Sequence, residues 1–266
     1  NSFFIMEYFS TNIYTNNWYT RITRLVSLER INVSMHLYIL ILSFFVYCPY
    51  LFGENYSISL WSIPVANVEL TKKPGEIHFN TKSIGLINFI WPHKNSYSTI
   101  YNTENFGLRK YSKNIEQGDF NQELTWEYNI EDSALVFDDI KTTTIDSIQT
   151  IFTLLARVSL ESYDYLDTKW FPVDHESCGY KGRFLWSDTV RVSALNKEIL
   201  CDHYRLDLIK VDKEKCNMEN SDYFMENIVD DNSVRQIWVE KNNNKRIIKA
   251  SVKVYGFPLE AIIVNE

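Results

Sequence analysis

Two short clusters, His175-Glu-Ser-Cys178 and Cys201-Asp-His203, carry the residue types of a metal site. Two thiolates and two imidazoles make a tetrahedral donor set for zinc. Strand alternation places Cys201 and His203 on one face, which favours joint ligation. Against this, the spacings match no familiar ribbon or finger, and thiols in an oxidising compartment tend to pair. A disulfide is the plainer expectation. Three cysteines, Cys178, Cys201 and Cys216, follow the N-terminal apolar stretch, so one pair leaves one thiol over. Cys178–Cys201 is the first choice, because both flank strands that can be neighbours. Cys201–Cys216 closing a hairpin, or three unpaired buried thiols, stay open. No resident metal or other cofactor is therefore expected.

The acidic residues offer a second chemistry. Glu131-Asp132, Asp138-Asp139 and Asp230-Asp231 are adjacent carboxylates. A glycosidase needs two carboxyl groups facing each other across a cleft, whereas sequence neighbours diverge and more often make turns. His78 and His93 stand alone and read as structural. Ser187-Asp188 has no nucleophile elbow around it, and GxSxG, HExxH, EF-hand and phosphate-loop patterns are absent. No catalytic residue is expected. A hydrolase acting on glycan or cell-wall material is the remote alternative.

Aromatic residues are the third resource, at 15% of the chain with 17 Tyr and 16 Phe. Trp61, Phe89, Trp91, Trp126, Phe137 and Trp238 either pack a core beneath a helix or line a hydrophobic cup on a concave sheet. Trp126 and Trp238 are the candidate ligand-lining residues. Trp238 lies between Ile237 and Val239, so both faces of its strand are apolar and the strand is covered on both sides or borders a cavity.

These residues must be positioned by strands. The 266 residues hold 45% hydrophobic and 23% charged residues with only 8 Gly and 6 Pro, which favours a real core and argues against long flexible linkers. The net charge of −7 argues against nucleic acid as a partner, since phosphate binding needs a basic face. At the N-terminus, Leu37–Val46 is an apolar run of signal-peptide length preceded by Arg21, Arg24 and Arg30. Residues 35–53 are expected to be an export signal, with an uncleaved anchor as the alternative. Residues 1–34 are expected to be an upstream extension outside the folded protein. Cys48 follows Phe45, Val46 and Tyr47, not the small residues that lipid attachment requires.

From Glu54 onward the texture is alternating. Residues 55–71 suggest one or two strands with Pro64 at an edge or bulge, and Ile77 and Phe79 share a face after the Pro74-Gly75 turn. Leu124, Trp126, Tyr128 and Ile130 alternate cleanly with polar neighbours. Leu200, Tyr204, Leu206 and Leu208 form one face of a further strand, with Cys201, His203, Arg205 and Asp207 on the other. Residues 212–232 read as a long loop or weak edge, and 234–264 as a hairpin turning at Lys241–Lys245. One amphipathic helix interrupts the strands near 145–160. Ile145, Ile148, Phe152, Leu155 and Val158 make its apolar stripe, and Asp146 with Gln149 has the spacing of a capping box.

Five pieces, in order, resemble the DUF3108 family of exported bacterial proteins: residues 55–71, 82–120, the helix DSIQTIFTLLAR, NKEILCDHYRLDL, and the terminal segment 236–263. The resemblance covers nearly the whole chain after residue 53. It implies an exported, largely β protein whose helix is entered by Asp146 and closed by Arg157. The Asn-rich turn of the last hairpin departs from the family's Asp-containing one. The family carries no established activity, so the resemblance implies no catalytic residue.

The expected fold is a mainly β, strongly curved antiparallel sheet, an open barrel or β-roll, formed by residues 54–266 as one domain. The expected role is that of a monomeric, non-enzymatic protein of the periplasm or outer envelope. It would bind a lipid-like ligand or an envelope protein, or serve as an interaction module without a small-molecule site. A cavity on the concave side separates these readings, and a solid core removes the first.

Overall fold

The computed structural model describes residues 52–137, 140–211, 222–242, 245–254 and 257–265. Strands β1 (Phe52–Leu60), β2 (Ile63–Lys73), β3 (Glu76–Ser83), β4 (His93–Tyr101), β5 (Leu108–Gln117), β6 (Phe120–Asn129), β7 (Ala134–Phe137) and β8 (Ile140–Thr143) form the first half. Strands β9 (Trp170–His175), β10 (Cys178–Ala194), β11 (Lys197–Lys210), β12 (Val234–Glu240), β13 (Ile247–Val254) and β14 (Phe257–Asn265) form the second. Each consecutive pair within a half is antiparallel, and β1 pairs with β14, giving one 14-stranded sheet with β8 and β9 at its two edges. The sheet curls around its own apolar face but does not close, as expected from the alternation. Every described core residue lies between Tyr56 and Ile263, within the compact unit Leu51–Glu266. The expected extension over 1–34 lies outside the described residues, as does the signal segment up to residue 51; Phe52 and Gly53 already pair with Lys72 and Thr71.

The bulge expected at Pro64 is present. The β1–β2 register shifts between Ile58 and Ser59, and Ser59 faces Pro64, where the missing N–H removes no ladder bond from a regular strand. β11 departs from simple alternation. Ile199 and Cys201 are buried, then Tyr204, Leu206 and Leu208 are, while Leu200 is exposed. The buried parity switches opposite a bulge between Trp186 and Asp188 of β10, which rotates the strand pair about its axis.

The helix is shorter than its apolar pattern predicts. It runs over Ile151–Val158 and is capped by Thr150, whose hydroxyl accepts from Thr153 N–H while the Thr153 hydroxyl accepts from Thr150 N–H. Asp146 and Gln149 do not cap it, because the preceding residues are spent on the sheet. Leu108 N–H donates to Ile148 O at 2.7 Å, Gln149 N–H to Pro172 O at 3.0 Å, and Asp174 N–H to Gln149 O at 2.8 Å. These bonds hold residues 148 and 149 between β5 and β9. Asp146 instead pairs with Arg109 at 2.7 Å.

Three further helices occur among the described residues, α1 (Gly85–Ile90), α3 (Tyr163–Leu166) and α4 (Tyr223–Val229), with Ile151–Val158 as α2 between them. α4 falls within the stretch expected to be a loop. Among the described residues, no helix is long and apolar enough to cross a membrane. α2 lies inside the curve of the sheet, buried on nearly every side. The Phe152 ring packs against Phe79, Tyr97 and Tyr111, at centroid distances of 4.9, 5.2 and 5.8 Å.

Candidate functional site

The inner face of the sheet does not fill completely above α2. A cavity of about 570 Å³ lies between the inner faces of β1–β4 and β11–β14. Its floor is Ile151, Phe152 and Leu155 of α2, and one side is Phe224, Met225 and Ile228 of α4. The volume falls within the about 300–1,000 Å³ of small-molecule sites. Alternation explains the lining. Every second residue of each strand points inward, and in this sheet those residues are Val68, Leu70, Ile237 and their neighbours. Ala66, Ala250 and Ala261 keep the walls thin, and the space exists because no large side chain from these positions crosses it.

Polar groups at the cavity are few. His93, Asn95, Thr81 and Gln117 cluster on β3–β5 near the upper rim. Thr81 faces Asn95, and His93 faces Gln117, across neighbouring strands. Burial lowers the His93 pKa, so the ring is neutral at pH 7. The one cation among the described lining residues, Arg235, donates to the backbone carbonyls of Ile228 and Asp230 at the end of α4. The cavity therefore offers apolar contact with a neutral hydrogen-bonding edge. Among the described lining residues there is no pair of carboxylates.

Beside the cavity lies a second polar feature, a buried charge cluster. Lys113 Nζ is 2.6 Å from Glu176 and 3.8 Å from Asp222, all with fully buried side chains. Tyr97 donates to Asp222 at 3.0 Å, and Asp222 accepts the N–H groups of Phe224 and Met225 as the N-cap of α4. Burial pushes the Asp174 carboxyl up to about 7, although the Ser177 N–H bond pulls it down. His175 is pushed down to about 3 by burial, then by the Lys113 charge. The void here is about 10 Å³, room for about one water and for no substrate. The cluster holds β5, the β9–β10 turn and α4 together.

The zinc set is not assembled. His175 belongs to this cluster, and Cys178 is disulfide-bonded. Cys201 pairs with Val190, toward the opposite end of β10 from Cys178. Cys201 is a buried free thiol, pushed up to about 12 by burial and the charges of Glu240 and Asp202. The expected Cys178–Cys201 bridge, like Cys201–Cys216, is thus corrected: the hairpin register separates the first pair, and Cys201 remains reduced. His203 stacks on Trp238 with ring centroids 4.5 Å apart and planes at 3°, and bonds Asp188 at 3.0 Å. Among the described residues no group of three His, Cys, Asp or Glu is placed to hold a metal.

Neither ligand-lining candidate borders the large cavity. Trp126 is buried against Phe137, with centroids 4.6 Å apart, and Tyr111. Trp238 sits on the outer face between His203 and Lys249. Its neighbours Ile237 and Val239 point inward and are buried, and Ile237 does line the cavity. Of the other aromatic candidates, Trp91 lines the cavity. The missed lining residues are mainly aliphatic and alanine, which carry no signal distinct from core. The acid pairs do not converge: Asp132 bonds Lys141 at 2.5 Å in a surface turn, Asp230 follows α4, and Asp138-Asp139 lies outside the described residues.

No family model matches the chain, and no curated protein matches it. Among solved structures, the chain is similar to the crystal structure of a β-barrel-like protein of the domain of unknown function DUF1849 from Brucella abortus. The identity is 7% and the TM-score 0.50, over 80% of this chain and 95% of that one. At that identity the likeness shows the fold alone, a mostly antiparallel, barrel-like sheet.

Proposed function

We propose that this protein is an exported, non-enzymatic envelope protein that holds an apolar or amphipathic ligand inside its curved sheet. The observation that carries this reading is the cavity of about 570 Å³ with predominantly aliphatic and aromatic walls. Leaving such a surface to water costs free energy in proportion to its area, and an apolar ligand removes that cost. The neutral edge of His93, Asn95, Thr81 and Gln117 suits a hydroxyl, amide or carbonyl group on the ligand. Export is supported by the apolar run Leu37–Val46, and placement in the bacterial envelope by the resemblance to the DUF3108 family. The protein is made with its own N-terminal segment and purified without detergent, and an organic extract is analysed by mass spectrometry. One amphipathic small molecule in stoichiometric amount is expected. An empty extract, together with no uptake of added fatty acid, would remove the proposal.

A second reading, an interaction module, draws on the exposed apolar residues at the cavity rim. The two readings meet at that rim.

A further inference from the structure

Leu86, Phe89 and Ile90 expose 79%, 88% and 74% of their surfaces on α1, a helix with no buried residue. Packing within the described chain does not account for three large apolar side chains on six residues. α1 stands at the cavity mouth. Ile87 and Trp91 line the cavity, Ile84 N–H donates to Val65 O beside it, and Gly118 N–H donates to Pro92 O at the β5–β6 turn. The adjoining turns add Ile63 and Trp61 on one side and Phe120 on the other, all exposed. Trp61 and Ser62 hold φ of 50° and 65°, the backbone of a two-residue hairpin turn that favours Asn and Gly. A large indole at such a tip is costly in conformation and is mostly exposed.

We propose that this rim is a membrane-docking surface through which the protein exchanges its ligand directly with a lipid bilayer. The inference rests on the cavity reading above, and three observations favour a bilayer over a protein partner. First, the apolar rim is continuous with the cavity mouth, so a chain passing between bilayer and cavity need not cross water. Second, the rim is layered: aliphatic and Phe side chains occupy α1, and Trp61 and Trp91 flank it, as aromatic residues do at a membrane interface. Third, Lys82 and Lys94 lie directly opposite each other on β3 and β4 just behind α1. Like charges in that register destabilise a sheet, and anionic headgroups relieve the repulsion. Glu116 approaches Lys94 at only 3.9 Å, and Asp119 is the one acid of the β5–β6 turn.

The unit 51–266, a compact unit that contains every described core residue, avoids the apolar N-terminal segment and is the protein to test. It is sedimented with vesicles of phosphatidylethanolamine and phosphatidylglycerol, and with phosphatidylcholine vesicles. The unaltered unit is expected to pellet with the anionic vesicles. Phe89→Ser with Ile90→Ser should weaken partitioning at least about tenfold, with far-UV circular dichroism and fatty-acid uptake in solution unchanged. Lys82→Glu with Lys94→Glu should abolish the preference for phosphatidylglycerol. No pelleting of the unaltered unit, or equal pelleting of the Phe89/Ile90 variant, overturns the proposal. So does a dimer that the variant makes monomeric while neither binds vesicles, because a second copy then covers the rim. Vesicle binding without fatty-acid uptake removes the cavity reading and the exchange with it, leaving the docking surface standing.

Discussion

The phenolic hydroxyl of Tyr97, on β4, donates to Asp222, the N-cap of α4, across 3.0 Å. One wall of the cavity is thereby tied to the helix that forms its side. The carboxylate takes the only phenolic hydrogen, so the Tyr97 oxygen accepts from Asn95 Nδ2 at 3.2 Å, and the Asn95 amide is oriented with Oδ1 away from Tyr97. Tyr97→Phe removes a donor from a buried carboxylate and an acceptor from a buried amide. The expected loss is about 1–3 kcal/mol, read from urea unfolding. An unchanged midpoint would show that the pair does not anchor α4.

Arg157 should not tolerate lysine. Its guanidinium is 4.4 Å from the ring centroids of both Phe106 and Phe171. It donates to Gln149 Oε1 at 3.1 Å, Asn105 O at 2.6 Å and Glu161 at 2.9 Å. A flat fork between two rings has no ammonium equivalent. Arg157→Lys is expected to cost about 2–4 kcal/mol, close to the cost of Arg157→Met. A cost for Lys far below that for Met would mean that charge alone matters here.

The stitch between β5 and β9 has no room at Gly107. A Cβ built there lies 2.0 Å from Asp146 O, a backbone atom. Gly107→Ala is expected to lose more than about 3 kcal/mol, because the segment carrying Ile148 O must move off Leu108. Gly179→Ala, where nothing lies within 4 Å, serves as the control and should be nearly neutral. Calorimetric melting temperatures compare the two, and equal shifts would contradict the account.

Asp174 and His175 predict opposing pH dependences. Asp174 keeps its proton in the folded protein up to pH about 7, whereas the unfolded chain releases it near pH about 4. The folded state binds more protons over that interval, so this group makes stability fall as pH rises toward 7. His175 stays neutral in the folded protein down to pH about 3, whereas the unfolded chain protonates it below about 6.5. It makes stability rise with pH from about 3 to about 6.5. The two slopes offset each other between about pH 4 and 6.5. Asp174→Asn should expose the rise and His175→Gln the fall, in unfolding free energies measured at both ends of that window. Slopes of the same sign in both variants would contradict the assignment.

Period-2 alternation made most of the strands legible, as at Trp126 and Tyr128 of β6, because burial of one face dictates residue type at every second position. The helix was legible in its core but not at its start. Ile148 continues the apolar stripe, yet its carbonyl bonds Leu108 N–H, and that partner is distant in sequence. Nothing local in the sequence announces the two rings around the Arg157 guanidinium. Cysteine pairing depended on the β10–β11 register, which sets Cys201 opposite Val190 and far along β10 from Cys178. The cavity itself left no mark. Ala250 and Ala261 look like ordinary core alanines, and only the curvature of the whole sheet makes them walls of an open space.

Those alanines provide the most direct test of the central claim. Ala250 and Ala261 face each other across β13 and β14, and both line the cavity. The measurement is a fluorescence titration of the unit 51–266 with a fatty acid whose emission rises on leaving water. Saturable binding at one site per chain is predicted, with affinity falling at least about tenfold in Ala250→Phe with Ala261→Leu while the circular dichroism is retained. No saturable binding by the unaltered protein, or equal affinity in the filled variant, would contradict the claim that the space inside the curved sheet is a ligand site.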